Sequence, residues 1–469
     1  MGELRRSPTM NKGFYVRMRL LHPKNPRQHQ QQQHQQQLHQ DKKNFFLRYY
    51  KWIIWLSLSL YFFSPYVRHG GDKITSFQRT HLLSSELSSS RALFESSLNQ
   101  THLDIPGDRQ GLKELMVYVY ELPPAYNADW LSNERCSNHL FASEVAIHKA
   151  LSNSEFRTFD PYEADFFFVP VYVSCNFSTV NGFPAIGHAR ALISSAIRFI
   201  SSEYQFWNRS GGSDHVFVAS HDYGACFHAM EDRAIADGIP EFLRQSIILQ
   251  TFGVNYDHPC QAVQNVVIPP YVSPESVHQT LENFPVDGKR DIWVFFRGKM
   301  EVHPKNISGR FYSKAVRSVI WHKYNSDRRF YLRRHRYAGF MSEIARSVFC
   351  LAPLGWAPWS PRLVESVALG CVPVIIADGI RLPFPSSVPW QDISLTVAER
   401  DAGRLAEILE HVAATNLSDV QRNLWDPRVR RALLFNSYRV EEGDATWHVL
   451  RSLADRLERS RRIGRVTSQ

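Results

Sequence analysis

The sequence contains no Cys-x-x-Cys, although it has six cysteines. This absence argues against a zinc ribbon and against a redox dithiol, because both use closely spaced thiol pairs. An even cysteine count permits disulfides in an oxidising compartment, and six cysteines allow fifteen full pairings. Cys350 and Cys371 each lie in a hydrophobic segment, where a buried thiol is at least as good an interpretation as a bridge. The six residues are Cys136, Cys175, Cys226, Cys260, Cys350 and Cys371.

Acidic residues are nearly missing from residues 1–51, which contain two of them against eleven Lys or Arg. This tail therefore carries +9 of the formal net charge of +10, and the remaining 418 residues are almost balanced. A nucleic-acid-binding domain concentrates its basic residues on a folded surface, so this distribution argues against nucleic acid as a partner. Residues 28–40 are low in complexity and rich in Gln and His, which predicts that the tail is disordered.

Charged residues are absent from residues 52–67, which are mostly apolar. A helix of this length spans about 24 Å, which fits a thin early-secretory bilayer. The basic residues before it predict a signal anchor that keeps residues 1–51 in the cytosol and sends the rest into the lumen. A cleaved signal peptide is the alternative, but the preceding segment is too long for an ordinary n-region. Residues 68–112 are polar and rich in Ser and Leu, and are interpreted as a lumenal stem.

Sequons for N-glycosylation are absent before the apolar run, whereas five follow it. This one-sided distribution fits a glycosylated lumenal body. The expected acceptors are Asn99, Asn176, Asn208, Asn306 and Asn416.

Apolar strand patterns alternate with helical patterns through the rest of the chain. The first set has strands at 117–120, 164–173 and 214–220 and helices at 143–154 and 188–204. The second has strands at 290–298, 329–334, 349–354 and 393–399 and helices at 309–323, 336–347 and 402–414. Continuous apolar strands in this alternation predict parallel sheets covered on both faces.

The predicted fold class is therefore α/β, with two Rossmann-like, doubly wound domains that face a cleft. The domains are placed at 113–287 and 288–430, with the seam near 284–291. A helical pattern at about 443–461, within the C-terminal segment 431–469, has no strand partner and is expected to pack back across both domains.

The stretch "WAPWSPRLVESVALGCVPVIIAD", residues 356–378, leads from a proline-punctuated loop through a helix to a buried strand. Ser360 is the expected N-cap, and Pro361 the first helical residue. Arg362 then lies in the first turn, where free N–H groups and the helix dipole attract phosphate. Glu365 follows about one turn later and suits ribose hydroxyls. The alternative is a surface ion pair between the two charged side chains.

Several blocks of the chain resemble the exostosin-type glycosyltransferases. They are "YVYELPPAYN", "RTFDPYEADFFFVPVY", "RDIWVFFRGK" and "SVFCLAPLGWAPWSPRLVESVALGCVPVIIAD", in the family order from about Met116 to Val412. "CSNHLFASEVAIHKAL" and "FFFVPVYVSCNFS" are most similar to the plant fragile-fibre and irregular-xylem branch, which is tied to glucuronoxylan synthesis.

The resemblance implies a GT-B fold, a type II Golgi membrane protein, and inversion at the anomeric carbon. It implies a UDP-sugar donor in the second domain, with contacts at Arg297, Gly298, Ser360, Arg362 and Glu365. The acceptor that it implies is a xylan-type polysaccharide, and the transferred sugar is glucuronate or xylose. The Golgi membrane and other xylan glycosyltransferases are the expected partners.

No Asp-x-Asp occurs anywhere in the sequence. Metal-dependent GT-A enzymes hold their diphosphate through such a motif, so neither a metal nor another cofactor is expected. The leaving diphosphate must then be neutralised by arginine, lysine and a helix dipole. Arg297, Lys299 and Arg362 fit this requirement, and Arg310 and Arg346 are weaker candidates.

An inverting transfer also needs a general base for the acceptor hydroxyl. His221 and Asp222 follow a predicted strand in "VFVASHDYGAC", at the cleft edge of the first domain, and either is a candidate. The alternative for Asp222 is a turn cap before Gly224. His258, in "NYDHPC", is a third candidate base.

Two functions remain open at this point. The first is sugar transfer from a UDP-sugar to a hemicellulose during cell-wall synthesis. The second is a non-catalytic GT-B subunit that scaffolds a Golgi xylan synthase complex. Intact donor motifs favour the enzyme, because a degenerate copy is expected to lose Arg362 or Glu365.

Overall fold

The computed structural model describes residues 112, 114–175, 187–228, 230–300, 312–335, 337–436 and 438–467. The predicted tail, the signal anchor and nearly all of the stem lie outside these residues. The sequons at Asn99, Asn176 and Asn306 also lie outside them. Among the residues that are described, no helix is both long and apolar enough to cross a membrane.

A six-stranded parallel sheet forms the first half of the described chain, in the order β2-β1-β3-β4-β5-β6. Alternate residues of its strands belong to two different hydrophobic cores: Val216 and Val218 pack on one face, and Phe217 packs on the other. Burial on both faces is the reason why these strands are continuously apolar. The strands are β1 (Val117–Val119), β2 (Arg157–Thr158), β3 (Phe166–Phe168), β4 (His215–Ala219), β5 (Ile247–Gln250) and β6 (Gln264–Val267).

A five-stranded parallel sheet forms the second half, in the order β11-β10-β9-β7-β8. Its central strands are almost completely buried, as the apolar patterns predict. The strands are β7 (Ile292–Arg297), β8 (Phe330–Arg333), β9 (Ser347–Pro353), β10 (Val372–Ile376) and β11 (Leu395–Thr396).

The predicted helices differ from the observed ones mainly at their ends, and several further helices were not predicted. Those of the first half are α1 (Arg135–Asn138), α2 (Ser143–Ser152), α3 (Ala189–Glu203), α4 (Phe206–Ser210), α5 (Glu231–Asp237) and α6 (Pro274–Asn283). Those after β7 are α7 (Val316–Tyr324), α8 (Phe340–Ala345), α9 (Pro361–Ala368), α10 (Trp390–Ile393), α11 (Leu405–Thr415), α12 (Leu417–Leu424), α13 (Pro427–Ala432) and α14 (Ala445–Thr467). The predicted seam at 284–291 falls between α6 and β7.

Three details depart from the sequence pattern. The strand predicted at 164–173 is limited to β3, because Pro170 has no N–H to donate to a ladder. The strand predicted at 393–399 is only two residues long. The strands β2, β5 and β6 were not predicted, since such short segments carry no clear period.

All six cysteines are paired, so the buried-thiol interpretation of Cys350 and Cys371 is wrong. One bridge joins α1 to the loop after β3, one joins the turns that follow β4 and β5, and one joins β9 to the start of β10. The pairs are Cys136–Cys175, Cys226–Cys260 and Cys350–Cys371. The last bridge encloses all of α9.

The two halves meet along the carboxyl ends of β5 and β10. Val254 and Ile380 form an antiparallel bridge, and Arg381 donates its backbone N–H to the Gly253 carbonyl at 2.8 Å. Helix α14 then returns to the first half, where the Arg456 guanidinium donates to the Gln264 side chain at 3.0 Å. The chain therefore has the parallel-sheet, GT-B-like architecture that was expected, including the returning C-terminal helix.

Candidate active site

The carboxyl ends of β7 and β9 lie side by side in the second sheet, and the chain leaves them in opposite directions. After β7 it crosses to β8 on one side, and after β9 it crosses to β10 on the other. Such a switch point leaves a crevice in which doubly wound folds bind ligands. Strand β7 brings Arg297 to this crevice, and β9 is followed there by the loop 354–360.

Helix α9 begins at the crevice, as the sequence predicts. The Ser360 hydroxyl accepts a hydrogen bond from the Arg362 N–H at 3.3 Å, and Pro361 is the first helical residue. A pocket opens beside this helix end, lined by Trp359, Ser360 and Leu363 together with apolar side chains from the ends of β9 and β10. The positive end of the dipole of α9 therefore lies beside this pocket and next to the switch point.

Arg362 and Glu365 pair with each other, but not at the surface. The Arg362 guanidinium donates from Nη1 to the Glu365 carboxylate and from Nε to the Arg297 carbonyl at 3.1 Å. The side chains are 19% and 9% exposed, respectively. The guanidinium also lies 4.8 Å from the centre of the Phe340 ring. The pair is thus a largely buried feature of the crevice, and not the surface ion pair of the alternative interpretation.

Arg297 has its own carboxylate partner, Glu343 on α8. Its Nε and Nη2 donate to the two oxygens of Glu343 at 2.7 and 2.6 Å, and its Nη1 donates to the His335 carbonyl at 2.6 Å. The Tyr331 hydroxyl donates to the same carboxylate at 3.0 Å. Bidentate pairing of this kind fixes the orientation of the guanidinium.

Lys299 and Gly298 continue the chain past the end of β7. The Lys299 ammonium lies 4.5 Å from the centre of the Tyr312 ring and 5.2 Å from that of Trp356. A Cβ at Gly298 would lie 3.0 Å from the Phe296 ring, so a larger residue there requires that ring to shift. Both predicted donor residues therefore lie in the crevice with Arg297.

Arg346 does not belong to this site, which corrects one of the weaker candidates. Its guanidinium pairs with Asp291 at the surface, with Nε 2.8 Å from the carboxylate. Its carbonyl accepts from the N–H of Ile292, the first residue of β7. Arg346 therefore lies at the amino ends of the strands, on the opposite edge of the sheet. Arg310 lies outside the described residues.

Asp222 follows β4 and meets the loop 354–360 of the second half. Burial raises the pKa of Asp222 to about 7, and interaction with the indole of Trp359 offsets part of that rise. The neighbouring Tyr223 donates its hydroxyl to the Trp356 carbonyl at 2.8 Å. The turn toward Gly224 is closed by a backbone hydrogen bond from Gly224 to the His221 carbonyl at 3.0 Å. Asp222 thus combines a pKa near neutrality with a position where the two halves meet.

The two histidine candidates are less suited to accept a proton. Burial lowers the pKa of His221 to about 3, and its ring packs 5.1 Å from that of Phe141. His258 accepts the Cys260 N–H at Nδ1 over 3.1 Å, so Nε2 carries its proton. Burial also lowers the pKa of His258. The geometry therefore favours Asp222 as the base.

Among the predicted glycosylation sites, Asn208 and Asn416 lie within the described residues, and both are exposed. Asn208 lies in α4, and Asn416 lies between α11 and α12. Their use remains a prediction. In the described part of the chain, no group of three or more His, Cys, Asp or Glu side chains is arranged to hold a metal ion.

The sequence profile of the exostosin GT47 domain matches residues 111–412. The chain belongs to the exostosin GT47 family. One similar protein is the Arabidopsis thaliana "Probable glucuronoxylan glucuronosyltransferase IRX7", which is 66% identical over 432 residues that cover 90% of this chain and 96% of the relative. A second Arabidopsis thaliana protein is also named a probable glucuronoxylan glucuronosyltransferase. It is 63% identical over 426 residues, which cover 90% of this chain and 89% of the relative.

A further GT47 relative is the Oryza sativa subsp. japonica protein "Probable glucuronosyltransferase Os03g0107900". It is 62% identical over 349 residues, which cover 74% of this chain and 81% of the relative. Among solved structures, Anabaena Alr3699/HepE in complex with UDP-glucose aligns with 73% of this chain and 99% of its own. The TM-score of that alignment is 0.33 at 8% sequence identity.

Two residues of the GT47 crevice were missed by sequence reasoning. Glu343 carries no local signal, because it lies within an ordinary helical pattern 46 residues after its partner Arg297. Arg317 on α7 lies in another such pattern, yet its guanidinium is buried between the ends of β7 and β9. Only the sheet topology brings these side chains to the site.

Proposed function

We propose that this protein transfers a sugar from a UDP-sugar to a xylan-type polysaccharide, with inversion and without a metal ion. Glucuronate is the first choice of sugar, because the names of the similar plant proteins specify glucuronosyl transfer. Xylose is the second choice. The observation that carries the proposal is the meeting of Asp222 with the loop that starts α9.

The donor diphosphate lies at the N-terminus of α9 in this proposal. Arg362 leaves Glu365 to bind the phosphates, and Glu365 then accepts hydrogen bonds from the ribose hydroxyls. Lys299 adds positive charge just past the end of β7, beside Arg297, whose own charge is largely balanced by Glu343. The positive end of the helix dipole at the start of α9 favours the same anion. The charge that develops on the leaving UDP is therefore stabilised by fixed protein groups.

Asp222 acts as the general base from the other half. It takes the proton of the acceptor hydroxyl while that oxygen bonds to the anomeric carbon of the donor. The bond from this carbon to the phosphate oxygen breaks, and UDP leaves with the electron pair. Attack from the side opposite the leaving group inverts the anomeric configuration. A carboxylate with a pKa of about 7 is matched to this task near neutral pH.

The Golgi lumen is the proposed location of the catalytic body, with residues 1–51 in the cytosol. Three disulfides support an oxidising compartment. Protease treatment of sealed microsomes tests the orientation: the body should be protected until detergent is added. Digestion of the body in sealed vesicles would contradict it.

The activity is tested by a panel of UDP-sugars with oligoxylan acceptors, with the product linkage read by mass spectrometry and NMR. We expect turnover with UDP-glucuronate, an inverted linkage, and activity that survives EDTA. UDP binding without turnover of any donor would favour the scaffold function. Complete loss in EDTA that manganese restores would overturn metal independence.

A further inference from the structure

Arg317 is a buried arginine that connects the two strand ends of the crevice. Its side chain extends from α7, and the residue is only 7% exposed. Its Nε donates to the Leu354 carbonyl and its Nη2 to the Pro353 carbonyl, both at 2.9 Å. Its Nη1 donates to the Lys299 carbonyl at 3.2 Å. One guanidinium thus holds the chain after β7 and the chain after β9 together.

This guanidinium differs from the other two arginines of the crevice in its charge balance. Arg297 and Arg362 each pair with a glutamate, so each pair is close to neutral. Among the described side chains, none of the carboxylates lies within ion-pair distance of Arg317. Burial lowers the pKa of Arg317, interaction with the Tyr312 side chain raises it in part, and the positive charge of Arg362 lowers it. An arginine nevertheless stays protonated in proteins, so one positive charge remains buried against backbone carbonyls and rings.

Two glycines bring the crevice loops close to this charge. A Cβ at Gly298 would lie 3.5 Å from Nη1 of Arg317, and a Cβ at Gly355 would lie 3.8 Å from Nη2. The rings of Phe296 and Tyr312 lie 5.1 and 4.9 Å from the guanidinium carbon. The charge is therefore shielded from solvent by aromatic rings but is covered on the crevice side by glycine-bearing loops. Its field is screened less there than that of a surface residue.

A buried cation without a carboxylate is costly unless an anion arrives to compensate it. We propose that Arg317 adds a buried positive charge to the donor site, besides that of Lys299, and attracts the diphosphate of the donor without touching it. This inference rests on the proposed function, because it assumes that a nucleoside diphosphate binds at the start of α9. It assigns Arg317 an electrostatic role in addition to its structural role between β7 and β9.

The test compares Arg317→Met with Arg317→Lys in the full-length protein, with uridine, UMP and UDP as ligands. The methionine variant removes the charge, whereas the lysine variant keeps the charge and loses the planar fork. We expect the methionine variant to lose about tenfold or more in UDP affinity, less in UMP affinity, and little in uridine affinity. The lysine variant should keep the wild-type ratio of UDP affinity to uridine affinity.

Arg346→Met is the matched control, since it removes one positive charge at the opposite edge of the same sheet. It should leave all three affinities unchanged. Equal losses for uridine and UDP in the methionine variant would reduce Arg317 to a structural residue and overturn the inference. Should that variant fail to fold by circular dichroism, the lysine variant decides. A retained affinity ratio then supports the inference, and a collapsed ratio contradicts it.

The same measurements distinguish failure of this inference from failure of the proposed function. Wild-type protein that binds none of the three ligands would contradict the donor site itself. Wild-type protein that binds UDP more tightly than uridine, with the ratio unchanged in the methionine variant, would contradict only the role of Arg317.

Discussion

Replacing Arg362 with Met and Glu365 with Gln, singly and together, separates a structural ion pair from a donor-binding pair. Removing one partner of a fully buried pair costs about 3–5 kcal/mol, because the other charge is left uncompensated. An exposed pair contributes about 0–1 kcal/mol. With exposed fractions of 19% and 9%, these side chains lie between the two cases. Each single variant should therefore lose about 1–3 kcal/mol in the free energy of unfolding.

The double variant removes both charges, so its stability should recover to within about 1–2 kcal/mol of the wild type. The remaining loss reflects the hydrogen bond from Arg362 to the Arg297 carbonyl. Binding of the donor should not recover. Arg362→Met should lower kcat/KM by a factor that corresponds to about 2–4 kcal/mol of lost transition-state stabilisation, which is the scale of one removed stabilising group. Glu365→Gln should raise the donor KM through weaker ribose contacts.

Urea unfolding followed by fluorescence measures the free energy of unfolding of each variant, and calorimetric titration measures its affinity for UDP. The exposed pair of Arg346 and Asp291 is the control, and its double-mutant cycle should show a coupling below about 1 kcal/mol. The donor-binding assignment fails if the folded Arg362 and Glu365 double variant binds UDP with wild-type affinity. In that case the pair of Arg362 and Glu365 would only stabilise the fold and would not bind the donor.

Three further predictions concern the base, its neighbours and the donor segment. Asp222→Asn should lower kcat by about 10²–10⁴ with unchanged UDP affinity. Wild-type kcat/KM should rise with pH through about 7 as this carboxyl group loses its proton. Burial raises the pKa of Asp222 in the folded state above its value in the unfolded state, so the protein loses stability as pH rises through this range. At pH 8 the Asn variant, which cannot ionise, should therefore melt at a higher temperature than the wild type. His258→Asn should keep activity and stability, since the Asn oxygen can still accept the Cys260 N–H. A large loss of kcat in this variant would instead indicate that His258 is the base. Replacing Cys350 and Cys371 by Ala should cost about 3 kcal/mol in unfolding free energy and weaken UDP binding, and unchanged values would show that the bridge does not stabilise α9.

The start of α9 shows how far the sequence by itself defines the site. Ser360 was predicted as the N-cap and accepts the Arg362 N–H, a hydrogen bond between residues two apart. Arg362 and Glu365 were placed about one turn apart and do lie on neighbouring helix positions. Caps, helical spacing and apolar strands depend on contacts within a few residues, which explains why the sequence reports them.

The partners of the charged side chains were decided by the tertiary structure alone. Glu343 reaches Arg297 across 46 residues of chain, and Tyr223 reaches Trp356 across 133. These contacts depend on which strand ends become neighbours, and the order β11-β10-β9-β7-β8 does not follow the sequence order. The selection of one set of three disulfides from the fifteen full pairings depends on the same non-local geometry.

Arg317 gives the physical reason for this division. Its position in "YSKAVRSVI" follows an ordinary helical pattern, and nothing in the sequence distinguishes it from an exposed arginine. Packing of α7 against the ends of β7 and β9 buries the guanidinium and leaves backbone carbonyls as its acceptors. The sequence determined the elements and the chemical groups that they carry, because short-range hydrogen bonds and hydrophobic period encode them. The packing of helices on the sheets determined which of these charges are paired, and it left Arg317 without a carboxylate among the described side chains, because burial is a property of the packed chain.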